Sequence, residues 1–283
     1  MKKTHVNPSK PSQQQLDSLL KLYQDRQYID AEKLSLSITE EFPKHPFAWK
    51  VLGAILKQKG KISESLIVFQ KSVQLDPQDA KAHNNLAIIL ISQSRLEEAE
   101  TSLRQAIELK PDLAEAHNNL GFILEKHRKF DEACSAFIQA INFNPDFIDA
   151  YENLGMVMKK VRFNSSNVKL YPLLTQLLST GNFVRPRDLA PSILSLLKHD
   201  PLIKNLLLKK NFATSLKEVN YIIGSLDKLP LLHHLMRVCP LPDLQLERFF
   251  VTLRSLLLTN LDDIEASPEF IYFLSTLSLH CFT

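Results

Sequence analysis

The sequence predicts an all-α protein: a right-handed solenoid of stacked helix pairs, followed by a leucine-rich helical region. Three observations carry this expectation. Pro43, Pro77, Pro111 and Pro145 recur every 34 residues. Fifteen prolines stand beside six glycines in 283 residues, which suits helices stopped by proline better than sheets turned by glycine. Beyond Asn167, leucine supplies 30 of 116 residues, the composition of helices packed on one another.

Residues 1–11 read as a flexible N-terminus, without apolar periodicity. Repeats then start near residues 12, 46, 80, 114 and 148. Aligned on the prolines, position 4 reads Trp49, His83, His117 and Tyr151. Position 7 reads Leu52, Leu86, Leu120 and Leu154, and position 8 reads Gly53, Ala87, Gly121 and Gly155. Position 20 reads Ser65, Ala99 and Ala133; position 24 reads Phe69, Leu103 and Phe137; position 27 reads Ser72, Ala106 and Ala140. Small residues at 8 and 20 let two antiparallel helices approach closely, and large ones at 4, 7, 11 and 24 fill the space between them. Proline at position 32 ends the second helix, having no N–H to continue it. One helix pair cannot bury both faces, so neighbouring pairs must stack. The stretch 12–45 keeps Ala31 and Pro43 but has Ser18 and Leu19 at positions 7 and 8, as a terminal, capping repeat is free to do.

This pattern resembles the tetratricopeptide repeat (TPR) family over residues 12–163, about 4.5 repeats. The resemblance implies first helices lining a concave face, with positions 2, 5, 6, 9, 12 and 13 turned into it. There, position 5 carries Asn84 and Asn118 between Lys50 and Glu152, and position 6 carries Asn85, Asn119 and Asn153 after Val51. A carboxamide offers both donor and acceptor, so a ladder of them can bond the backbone of an extended peptide. The ladder is similar to that of protein N-acetylglucosaminyltransferases, which holds acceptor polypeptides. It is unlike carboxylate-clamp repeats, which need Asn at position 9, where Ala54, Ile88, Phe122 and Met156 stand. That apolar row is suited to partner side chains. The expected peptide-binding set is therefore Asn84, Asn85, Asn118, Asn119, Asn153, Ile88, Phe122 and Met156. The same asparagines also suit a local role, bonding backbone or water. His83 and His117 sit at a packing position and lack a third metal-like ligand.

Residues 164–283 form the second region, entered through the polar stretch 162–167. If the repeat continued, prolines would fall where Ser179 and Ala213 stand. Helices are expected at Val168–Thr180, Pro186–Lys198, Pro201–Lys209, Ala213–Ser225, Leu229–Val238, Asp243–Asn260 and Pro268–Phe282. Several open on proline, tolerated where the first-turn N–H has no partner. Leu174-Thr175-Gln176-Leu177-Leu178 matches a coactivator leucine motif, a match expected by chance in so leucine-rich a segment. His233 and His234 point to different helix faces, and nothing near Cys239 in sequence activates it.

Composition bounds the function. Apolar residues make up 45% and charged residues 23%, with a net charge of +3 and no basic block; nucleic acid is not an expected partner. No apolar run reaches membrane-spanning length, and the lysines at the start precede no apolar stretch, so neither membrane nor secretory signal is expected. Three scattered cysteines argue against a disulfide framework and for a reducing, cytoplasmic compartment. No phosphate loop, dinucleotide motif or nucleophile elbow occurs, so no catalytic residue, cofactor or metal is expected. The partner expected is a protein or peptide in extended conformation, with self-association as a further option. The segments Val184–Pro191 and Met236–Asp243 resemble a helical region that precedes S-adenosylmethionine-dependent methyltransferase domains in bacterial TPR proteins. With the apolar run after Pro268, this gives an alternative: the chain as the substrate-recruiting N-terminal part of a larger bacterial transferase, a methyltransferase or glycosyltransferase, whose catalytic domain lies elsewhere.

Overall fold

The 34-residue proline spacing becomes a helix-pair spacing in the computed structural model, which describes residues 10–180, 185–208, 216–226, 228–241, 243–259 and 275–276. The chain forms two compact units, residues 1–147 and 148–283. Among the described residues every regular element is helical.

The first unit holds four helix pairs: α1 (Gln13–Gln24) with α2 (Tyr28–Glu41), α3 (Pro46–Gln58) with α4 (Ile62–Leu75), α5 (Ala80–Ser92) with α6 (Leu96–Leu109), and α7 (Ala114–Lys126) with α8 (Phe130–Phe143). Ser12 starts α1 with a capping box: its hydroxyl accepts from the Gln15 N–H, and the Gln15 side chain accepts from the Ser12 N–H. Pro46 begins α3 at its first turn, and Asp79 caps α5 through the Ala82 N–H at 3.1 Å.

Each first helix ends in the same device. The residues at position 15, Arg26, Gly60, Ser94 and Arg128, have φ between 58° and 72°. After α3, Lys61 N–H reaches the Leu56 carbonyl and Gly60 N–H reaches that of Lys57; the same two bonds recur after α1, α5 and α7. This is the Schellman closure, which satisfies carbonyls that the last turn leaves open. Each second helix stops two residues before Pro43, Pro77, Pro111 or Pro145.

Packing follows the expected register. Leu19, Ala31, Phe69, Ala99, Leu103, Ala133, Phe137 and Ala140 are almost wholly buried. Each fully buried large side chain contributes about 1.5–3 kcal/mol. Pairs stack through second helices as well: α2 meets α3, α4 meets α5 and α6 meets α7. Side-chain contacts tie neighbours at one register: Lys59 pairs with Glu32 and, two repeats on, His127 Nδ1 lies 3.4 Å from Glu100 Oε2.

The second unit contains α9 (Ile148–Met158), a 3-10 turn over Val168–Leu170, α10 (Tyr171–Thr180), α11 (Pro186–Lys198), α12 (Pro201–Leu208), α13 (Leu216–Leu226), α14 (Pro230–Val238) and α15 (Leu244–Thr259). The units divide before the polar stretch at 162–167, so the helix expected to open the fifth repeat goes with this one. Its ties are specific. Ser192 on α11 bonds the Val161 carbonyl at 2.8 Å and also faces that of Met158. Arg162 donates to Ser192 at 3.1 Å, and Gln176 donates to the Tyr151 hydroxyl at 3.0 Å. Carbonyls left open after α9 thus find partners in α11 and its neighbours. α14 starts at Pro230; the stretch 209–215, where the helix expected from Ala213 would begin, lies outside the described residues. The expected helix at Pro268–Phe282 apart from Ser275 and Thr276, most of the N-terminal stretch and residues 181–184 lie outside the described residues.

Candidate functional site

In the first unit the first helices α1, α3, α5 and α7 are successive neighbours. One repeat position therefore forms one row across them. Position 9 gives Leu20, Ala54, Ile88 and Phe122; Leu20 is 39% exposed and the other three are half-buried. Ile88 on α5 and Phe122 on α7 thus keep partial exposure. Leu20 extends the row; the 34-residue count from Ser12 is the signal that finds it. Lys126 places its ammonium 4.9 Å from the Phe122 ring centre, a cation–π contact.

Positions 5 and 6 separate. Asn85 and Asn119 are half-buried and accessible, while Asn84 and Asn118 are buried, at 7% and 8% exposure. One residue turns a helix by about 100°, enough to carry position 5 from the open face into the seam between neighbours. There Asn119 Nδ2 donates to Asn84 Oδ1 at 2.9 Å. In the repeat before, position 5 is Lys50, whose ammonium bonds Asp79 Oδ2 at 2.5 Å. Burial works against the charge on Asp79, but the Lys50 ammonium and the backbone N–H groups of Ala82 and Lys81 hold its carboxyl below the usual range. Asn153 and Met156 lie on α9 in the second unit, where Asn153 is half-buried and Met156 is 51% exposed.

The histidines of position 4 have a packing role. His83 Nε2 bonds the Pro77 carbonyl at 3.0 Å and His117 Nε2 that of Pro111 at 2.8 Å. Trp49 Nε1 makes the same bond to the Pro43 carbonyl at 2.9 Å. Among the described residues no three His, Cys, Asp or Glu side chains gather as a metal site requires.

Other singled-out residues are occupied inside the second unit. Leu174, Leu177 and Leu178 are buried at 2% exposure or less, so that leucine motif faces the core. His233 is buried and bonds the Leu226 carbonyl, whereas His234 is half-buried 3.3 Å from the Ser179 hydroxyl. Burial pushes the Cys239 thiol up to about 11 and that of Cys134 to about 12, away from thiolate chemistry. Among the described residues no helix is long and apolar enough to cross a membrane.

Comparison with known proteins agrees with this geometry. Models of the tetratricopeptide repeat match residues 48–79, 68–101 and 114–147, and a TPR repeat model matches residues 88–127. No match is found among curated proteins. Among solved structures, PilF of Pseudomonas aeruginosa aligns over 73% of this chain and 94% of its own, at 19% identity and a TM-score of 0.51. A crystal structure of MamA aligns over 50% of this chain and 82% of its own at 23% identity, with a TM-score of 0.46. YrrB, described as a TPR protein with an unusual peptide-binding site, aligns over 62% and 87% at 18% identity, with a TM-score of 0.49. The likeness to PilF is one of fold. The family matches, the 34-residue register and the four stacked helix pairs converge: residues 48–147 of this chain are tetratricopeptide repeats.

Proposed function

We propose that the repeat array is a protein-interaction scaffold whose first-helix face holds an extended polypeptide. One observation carries the reading. Asn85 and Asn119, one repeat apart on the neighbouring helices α5 and α7, are both accessible and lie in register with Ile88 and Phe122. The carboxamides supply donors and acceptors for a peptide backbone, and the apolar row takes alternate side chains. In the sequence, Asn153 and Met156 occupy positions 6 and 9 of the following repeat, on α9 of the second unit.

The test begins with peptides selected from a random displayed library on the native chain. Removing the Asn85 and Asn119 carboxamides together, as the double alanine variant, takes away two neutral hydrogen bonds of about 0.5–1.5 kcal/mol each. The affinity of a selected peptide should fall roughly 5- to 150-fold, measured well below the melting transition, which loss of the Asn119–Asn84 bond lowers. Unchanged affinity in the double variant sinks the ladder reading, and failure to select any peptide sinks the scaffold reading itself.

A further inference from the structure

The rungs of the asparagine ladder are unequal, and the cause lies one residue off the open face. Asn119 commits one N–H to Asn84 Oδ1 at 2.9 Å. Asn84 is itself nearly inaccessible, so it is poorly placed to meet a partner. Asn85 is the counterpart of Asn119 in the preceding repeat. The residue that would hold it, at position 5 on α3, is Lys50, a cation engaged with Asp79 at 2.5 Å. Among the described residues no hydrogen bond is made by the Asn85 carboxamide. A bond between position 5 of one repeat and position 6 of the next is made at Asn84 with Asn119, whereas Lys50, at position 5 before Asn85, is bonded to Asp79.

We infer that Asn84 is a positioning residue: it fixes the carboxamide of Asn119, leaving that group's second N–H and its carbonyl oxygen for the backbone of a bound polypeptide. This rests on the proposed function above. A free asparagine rotates about its side-chain bonds and loses that freedom on binding, whereas a carboxamide already held has less to lose. A single bond to one N–H also breaks the twofold ambiguity of the amide, so Asn119 meets a partner with a defined donor and a defined acceptor. Asn85, without such a support, adapts to either. Two neighbouring rungs of identical chemistry therefore differ in role, one a fixed reference and the other adjustable.

The experiment uses the full chain with 15N-labelled asparagine. In the native protein, the two side-chain amide protons of Asn119 should exchange with solvent at unequal rates, the bonded one more slowly, while those of Asn85 exchange alike. Asn84→Leu should abolish the slow proton of Asn119. Asn84→Asp, which keeps an acceptor oxygen in place, should retain it. Equal exchange of both Asn119 protons in the native chain overturns the inference, and that measurement needs no variant to fold. A slow proton that survives Asn84→Leu overturns it as well. The second arm measures affinity for a peptide selected on the native chain. Asn84→Leu should weaken it, and Asn84→Asp should restore much of the loss. Lost slow exchange with unchanged affinity would make Asn84 merely a packing residue and overturn the inference alone. Failure to select a peptide on the native chain overturns the proposed function, and this reading with it, whatever the exchange rates show.

Discussion

Gly121 faces the ring of Phe137 so closely that a Cβ added there would lie 2.7 Å from the Phe137 Cε1 atom. The same pair two repeats earlier, Gly53 and Phe69, leaves 3.0 Å. The two positions vary against each other along the array. Leu19 at position 8 goes with Ser35 at position 24, Gly53 with Phe69, Ala87 with Leu103, and Gly121 with Phe137, all within the core. Each helix pair thus divides one fixed space between its crossing residues. Gly121→Ala should cost about 1–3 kcal/mol from overpacking, partly offset by about 1 kcal/mol of helix propensity. Phe137→Leu in the same chain should recover part of the loss, reproducing the Ala87–Leu103 pair. A double-mutant cycle by urea denaturation measures this, and additive effects would show that the two positions are independent.

The turn between paired helices invites a second test. Arg26, Ser94 and Arg128 hold φ near 60°, where a Cβ is strained, and Gly60 occupies the same place with φ 72° and open space around it. Arg26→Gly, Ser94→Gly and Arg128→Gly should each stabilise the array by up to about 1 kcal/mol. Gly60→Ala should destabilise it by a similar amount, with no steric clash to explain the loss. Thermal melts of the four single variants decide it; a fall in melting temperature for the three glycine variants would mean that their side chains contribute more than the backbone strain costs.

These two features show where the sequence is transparent. The prolines and the small residues at positions 8 and 20 are chemically forced, so they reveal the helix pairs and their register directly. The turn at position 15 is not forced: glycine marks it once, and arginine or serine accepts the strain elsewhere, hiding a repeat feature behind unrelated residue types. Asn85, Asn119, Ile88 and Phe122 keep partial exposure at positions 6 and 9, as the register led one to expect. The burial of Asn84 and Asn118 was not legible, because it depends on a 100° turn against a neighbouring helix. The place of α9 was hidden for a similar reason. Its repeat pattern continues through Leu154 and Gly155, but hydrogen bonds from Ser192 and Gln176, far along the chain, tie it to the second unit. The proline-led start of α11 at Pro186 follows from local chemistry.

Asp79 joins two roles, capping α5 and holding Lys50, and its lowered carboxyl pKa makes the second role sensitive to acid. Burial alone would raise that pKa; Lys50 and the backbone donors outweigh it. A carboxylate depressed in the folded state stabilises fully above its unfolded value, about 3.9. That contribution fades as the pH falls through the lower folded value. Asp79→Asn keeps a capping oxygen but loses the charge, so the native chain should melt higher than this variant at neutral pH. The gap should close below about pH 4. A gap that persists unchanged at lower pH would assign the difference to capping rather than to the ion pair.

His83 and His117 reach back to the Pro77 and Pro111 carbonyls just as Trp49 reaches Pro43. The shared geometry means the imidazole serves as a short ring with one N–H, closing the loop between adjacent repeats. Replacing either histidine by phenylalanine keeps a ring but deletes that bond. Each change should cost about 0.5–1.5 kcal/mol, and both together should cost nearly the sum, since the two sites lie in different repeats. A metal role predicts otherwise: zinc would raise the melting temperature of the native chain, and the phenylalanine variants would lose that rise. With each Nε2 already engaged and no third ligand gathered near either ring among the described residues, zinc should leave the melting temperature where a chelator leaves it. A zinc-dependent increase that vanishes with His83→Phe or His117→Phe would reassign these residues from packing to coordination.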